Sequence, residues 1–281
     1  MPDLVSRIES YADALPPAER RVAEIVLADP SAAAFTTVAE LGRRAGTSGA
    51  TVVRMADRLG YAGWVGLQSE VRATIDQRLR PATERIRDHE VDDVLAATAA
   101  REAENVHRTI EAVDRASFDR AVALLADRKR MVRVLAGAAQ DGVGASLSDA
   151  LDLLRAGVVR VGGSPVAVTS QLAHTEPGDV LIAIDLRRYE RWVLEAAEAT
   201  SAAGGLVIAL TDSRLSPLAR EAEVTFTITA EGAGPFDSHV GTLALANALA
   251  TGVAAKLRRP ATQRLDRVEA AWRAAGALTD S

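Results

Sequence analysis

Cysteine is absent from the 281-residue chain, which excludes disulfides and thiolate metal sites. Histidine is scarce, and His89, His107, His174 and His239 are too scattered to place two ligands one helical turn apart. Neither a metal centre nor another cofactor is expected. No apolar run reaches the roughly 18 residues that a membrane span needs. The start, Met1-Pro2-Asp3-Leu4, has neither the basic head nor the apolar core of a signal peptide, so a soluble cytoplasmic protein without a membrane partner is expected. Lysine occurs only at Lys129 and Lys256, and nearly all positive charge is arginine. With the abundance of alanine, this is the mark of a GC-rich genome and lowers the weight of any single arginine. The formal net charge of -5 supplies no overall basic surface, so a nucleic-acid partner needs a local one.

The chain is long enough, and at 48% hydrophobic apolar enough, for two domains with separate cores. Residues 1–80 carry apolar positions at helical spacing and read as an all-α bundle. Residues 81–118 are polar and alanine-rich and read as a helical connector. From 119 to 260 the runs Met131–Ala136, Gly157–Val161, Val180–Ile184, Leu206–Leu210 and Val224–Ile228 alternate with helical segments. That order predicts an α/β domain with a doubly wound parallel sheet covered on both faces. Residues 261–281 read as a C-terminal helix and tail.

Within the bundle, a helix opens at Pro16-Pro17 and ends at Asp29-Pro30. Thr37-Val38-Ala39-Glu40 has the form of a capping box, and the helix it starts stops at Gly46. The turn Gly46-Thr47-Ser48 then leads into a second helix over Gly49–Leu59, the spacing of a helix-turn-helix. Val52, Ala56 and Leu59 fall on the inner face of that helix, and Thr51, Arg54, Met55 and Arg58 on the face that enters a major groove. Arg54 suits guanine, Thr51 a thymine methyl or base edge, and Ser48 a phosphate, with Thr47 beside it. Arg43 and Arg44 are placed to hold the DNA backbone. Residues 36–67 hold four arginines against Glu40 and Asp57, a local excess of +2. Without further signal, a two-helix pattern with solubilising arginines reads equally well.

Longer stretches add that signal. Leu15-Pro16-Pro17-Ala18-Glu19-Arg20-Arg21-Val22-Ala23-Glu24, Val38-Ala39-Glu40-Leu41, Ser48-Gly49-Ala50-Thr51-Val52-Val53-Arg54 and Leu59-Gly60-Tyr61-Ala62-Gly63-Trp64 resemble the DNA-binding domain of RpiR-type regulators. Glu176–Ile184, Val207–Ser213 and Ser216–Ala219 resemble the sugar isomerase (SIS) domain that follows it in that family. The resemblance implies a transcription regulator that binds double-stranded DNA at a palindromic operator as a homodimer or tetramer and answers to a small-molecule effector, such as a phosphosugar.

In that family the loop after the third strand carries a serine-rich run that cradles phosphate. This chain reads Asp185-Leu186-Arg187-Arg188-Tyr189-Glu190 there, and an aspartate in that place repels phosphate. The loop after the first strand also departs, reading Ala136-Gly137-Ala138-Ala139-Gln140-Asp141-Gly142. Three outcomes stay open: Arg187 or Arg188 grips the anion instead, an uncharged molecule binds through Gln140 and Asp185, or the domain only dimerises. Further effector candidates at strand ends are Asp141, Ser213, Asp237, Ser238 and His239, with Asp237 or Ser238 also suited to capping the helix that follows. No catalytic residue is expected, the alternative being a phosphosugar isomerase with a helical extension.

Overall fold

The computed structural model describes residues 4–11, 14–28, 30–79, 81–88, 91–214 and 216–278. Met1, Pro2, Asp3, Asp29 and His89, used in the sequence reading, lie outside them. Two compact units emerge, Met1–Pro81 and a second built from Ala82–Ser213 and Pro217–Ser281.

The first unit is helical: α1 (Leu4–Tyr11), α2 (Pro17–Ala28), α3 (Pro30–Phe35), α4 (Val38–Arg44), α5 (Gly49–Arg58) and α6 (Gly63–Leu79). Pro17 opens α2, where a missing N–H costs nothing. Thr37 caps α4 by accepting the Glu40 N–H at 3.2 Å, and Ser48 caps α5 by accepting the Thr51 N–H at 3.4 Å. Between the two helices Gly46 takes φ +58°, the left-handed turn that only glycine adopts without strain. Ile8, Val22, Val26, Leu41, Val52, Met55 and Leu67 form the centre of the core. Val52, Ala56 and Leu59 face inward as the spacing predicts.

The second unit begins with α7 (Ala82–Asp88), α8 (Val94–Glu111) and α9 (Arg115–Ala126) and continues through β1 (Val132–Ala136), α10 (Asp141–Leu154), β2 (Val158–Val161), α11 (Pro165–Leu172) and β3 (Val180–Ile184). After these come α12 (Arg191–Ala202), β4 (Leu206–Thr211), β5 (Ala222–Thr227), α13 (Val240–Lys256) and α14 (Arg258–Ala275). The sheet is parallel in the order β2-β1-β3-β4-β5. Helices α9, α10, α13 and α14 bury one face, and α11 and α12 bury the other. Burial on both sides is why β3 is apolar at every position rather than alternating. The fold class expected from the sequence is therefore present in both parts.

Within the stretch 81–118, expected as a connector, α7, α8 and the start of α9 are helical, and α8 packs along α13. Two buried polar side chains fix it there. Asn105 donates to the Glu231 carbonyl at 2.7 Å and accepts the Glu231 N–H at 3.1 Å, while the Thr109 hydroxyl accepts the Thr229 N–H at 3.0 Å. At the amino ends of β1 and β3, Arg133 is buried against Asp179 at 2.8 Å. Asp179 also accepts the N–H groups of Met131 and Glu176. Although burial opposes it, the Arg133 bond and these N–H groups hold its carboxyl below the usual range. No single helix among the described residues is long and apolar enough to cross a membrane.

Candidate DNA interface and effector cleft

The outer face of α5 is narrower than its sequence spacing predicts. Arg54 and Arg58 are exposed, with Ala50 and Asp57 beside them. Met55, expected on this face, is 0% exposed. It lies three residues after Val52 and joins the Val52–Ala56–Leu59 stripe, so it belongs to the core and is withdrawn from the interface. Thr51 is also buried rather than open to a base. Its hydroxyl is the hub of a small network, meeting Thr47 at 3.0 Å, Ser48 at 3.1 Å and the Arg54 guanidinium at 3.0 Å.

Exposed Arg58 donates to the buried carboxylate of Glu19 at 2.8 Å, and Arg54 stands 3.9 Å from the same group. Glu19 comes from α2, so the exposed arginines of α5 are set by a residue that the local motif does not contain. On α4, Arg43 pairs with Glu40, and Arg44 is exposed at the helix end.

In the second unit the expected effector residues divide into two groups. The first adjoins a cleft of 560 Å³ at the carboxyl ends of β1 and β2, lined by Ala138, Asp141, Arg160, Gly162, Gln171 and Trp192 among others. Of the expected residues only Asp141 lines it, paired with Arg160. Asp185 lies alongside, 2% exposed. Its two oxygens accept the N–H groups of Leu186 at 3.0 Å and Glu190 at 2.6 Å. Glu190 accepts the Ala138 N–H and, at 2.6 Å, the Trp192 indole N–H. Burial pushes the Asp185 carboxyl up to about 7, and the charges of Glu190 and Asp212 add to it against its two N–H bonds. Gln140 is buried in the turn after β1. Sequence reasoning missed Arg160, Gln171 and Trp192 as cleft residues.

The second group gathers beyond β4 and β5. Arg187 is buried and pairs with Glu231 and Asp237, and Asp237 also accepts from Arg85 at 2.6 Å. Among the described residues Arg187 is the one non-glycine with a left-handed backbone, φ 62°, a conformation that costs about 1–3 kcal/mol. Asp212 supports it, accepting the Arg187 N–H at 3.0 Å and the Tyr189 hydroxyl at 2.9 Å. Ser213 is buried just after β4, and Arg188 is exposed. Of the two cap candidates it is Ser238 that accepts the Val240 N–H, at 3.1 Å, while also bonding Glu102. Asp237 faces the arginines instead, and His239 occupies the cap position of α13 without a side-chain cap bond.

Residues 3–78 match the rpiR-family helix-turn-helix domain, and residues 124–252 match the SIS domain. The chain is 28% identical over 268 residues to the HTH-type transcriptional regulator HexR of Pseudomonas aeruginosa, covering 90% of each chain. It is 27% identical to the sugar isomerase domain of an RpiR transcription factor from Sphaerobacter thermophilus, over 63% of this chain and 98% of that one, with TM-score 0.58. The NanR protein of Vibrio vulnificus, solved in complex with ManNAc-6P, shares the fold at 20% identity, over 96% of this chain and 98% of that one, with TM-score 0.56. With the helix-turn-helix, the doubly wound domain and these relatives in agreement, the chain belongs to the RpiR-type transcriptional regulators.

Proposed function

We propose that α5 reads an operator from the major groove and that a small metabolite, a sugar phosphate or another compound, bound at the carboxyl edge of the second unit's sheet changes the affinity for that operator. The carrying observation is the arrangement of α4, the Gly46 turn and the capped α5, which presents Arg54 exposed and already braced on Thr51. A guanidinium held in place loses less freedom when it bonds a guanine edge. Arg54 contacts bases, while Arg43, Arg44 and the Thr47–Ser48 turn hold phosphates; Arg58 orients the face through Glu19.

A single small head making few base contacts falls short of specific affinity, so the protein works as a homodimer or tetramer on a palindromic site. Residues 1–80 form the head, and 81–118 carry the chain from it to the effector domain. That domain senses and does not catalyse: its relatives are named as transcriptional regulators, and its loops offer two carboxylates where a phosphosugar isomerase needs a phosphate grip. The setting is the cytoplasm, where the operator is.

Capture of genomic fragments by the purified full-length protein, alongside Arg54→Ala, tests the reading. A palindromic sequence enriched by the wild type and lost in the variant is the expected result. No enrichment, with or without added cell metabolites, overturns it.

A further inference from the structure

Open parallel sheets hold ligands beyond the strand ends where the strand order reverses. In the order β2-β1-β3-β4-β5 that point lies between β1 and β3. The 560 Å³ cleft opens beside it, within the size range of small-molecule sites, roughly 300–1,000 Å³. Four N–H donors gather on the Asp185 and Glu190 carboxyl groups: those of Ala138 and Trp192, which line the cleft, and the backbone groups of Leu186 and Glu190 beside it. Backbone donors gathered at strand exits and helix starts are where proteins seat phosphate and carboxylate.

All four are taken by the protein itself. Asp185 satisfies Leu186 and Glu190, and Glu190 satisfies Ala138 and Trp192. The two carboxylates lie directly on the β1 exit, for a Cβ added to Gly137 would stand 2.8 Å from Asp185 Oδ1 and 2.9 Å from Glu190 Oε1. At the rim Asp141 and Arg160 neutralise one another. Gln171 holds the Gly162 loop through two hydrogen bonds. What the lining offers an incoming ligand is the Asp141–Arg160 pair, Gln171, loop backbone and the Trp192 ring, with half-buried Glu190 bonded to Ala138 and Trp192 at its margin.

We infer that the carboxyl groups of Asp185 and Glu190 fill the donor seat of this cleft, so that the cleft selects an uncharged or cationic, unphosphorylated polyhydroxy compound. Carboxylate oxygens accept hydroxyl and ammonium donors, and the apolar face of a sugar-sized ring suits the indole. A phosphate finds its donors already bonded and meets like charge. The inference rests on the reading of this domain as an effector sensor.

Calorimetric titration of the full-length protein with matched pairs, glucose and glucose 6-phosphate, glucosamine and glucosamine 6-phosphate, and with inorganic phosphate, tests it. The wild type is expected to bind no phosphorylated member more tightly than its partner. Asp185→Ser with Glu190→Ser empties the seat and gains at least about tenfold in affinity for inorganic phosphate. Glu190→Gln, which keeps an acceptor for Ala138, shifts in the same direction by a smaller factor and serves if the double variant does not fold. A wild type that favours a phosphorylated sugar tenfold over its partner overturns the inference, as does a folded variant with unchanged phosphate affinity. DNA retention by the same wild-type preparation is scored separately. Its failure counts against the regulator reading and leaves the phosphate comparison standing.

Discussion

The guanidinium of Arg54 rests on the hydroxyl of Thr51, one turn earlier on α5, at 3.0 Å. Thr51 thus braces the residue proposed to read bases. Arg54→Ala will cost about 1–3 kcal/mol of discrimination at one operator base pair. Thr51→Val keeps the buried shape and removes the hydroxyl, so it will lower specific affinity by a smaller amount without changing which base is preferred. Binding measured on a set of single-base operator variants separates the two.

Glu19 holds Arg58 at 2.8 Å and draws on Arg54 from 3.9 Å. Glu19→Gln will release both toward phosphate. Affinity for random-sequence DNA will rise about threefold while the ratio of specific to non-specific binding falls. An unchanged ratio would show that the pair has no part in orienting the reading face.

Arg44, exposed at the end of α4, is proposed to meet a backbone phosphate. Arg44→Ala will weaken binding equally on all sequences and reduce the slope of log affinity against log salt by about 1. Titrations at a series of salt concentrations measure it.

Met55 fills the core beneath α5. Met55→Ala will lower stability by about 2–5 kcal/mol and leave base preference among folded molecules unchanged. Denaturant unfolding and competition between operator variants check the two halves of that statement.

The Asp185 carboxyl, pushed up to about 7 in the folded chain, titrates at about 3.9 when unfolded. Between those values the folded protein keeps a proton that the unfolded chain has lost. Stability contributed by Asp185 is therefore full at low pH, falls as pH rises from about 4 to 7, and is flat above. Asp185→Asn will flatten that stretch of the curve of unfolding free energy against pH.

The elements were legible because each has its own chemical signal: Thr37 and Ser48 at helix starts, Gly46 at the turn, and an unbroken apolar run wherever a strand is covered on both faces. Positions 51 and 55 were not. They sit at the edge of the α5 stripe, where a rotation of tens of degrees decides between groove and core, and only packing against α2 and α6 settles it. Arg160 and Trp192 lie far apart in the chain and meet at one cleft because the sheet places β2 beside β1 and β1 beside β3. Nothing within either segment announces that neighbourhood. Glu190 was in view as part of an altered loop, but its role depends on Gly137 lying beneath it.

Glu231 joins three separate parts of the second unit, its backbone gripped at both ends by Asn105 of α8 and its side chain held by Arg187 of the loop after β3. Position 105 therefore cannot drift on its own during evolution. An aliphatic residue there removes both hydrogen bonds to the part-buried Glu231 backbone, a loss of about 0.5–1.5 kcal/mol for each, unless the loop after β5 is rebuilt in the same lineage. Among relatives, residues 105, 187 and 231 should change as a set, and a descendant that alters the arginine loop to recognise a new metabolite must also re-tailor the helix behind it.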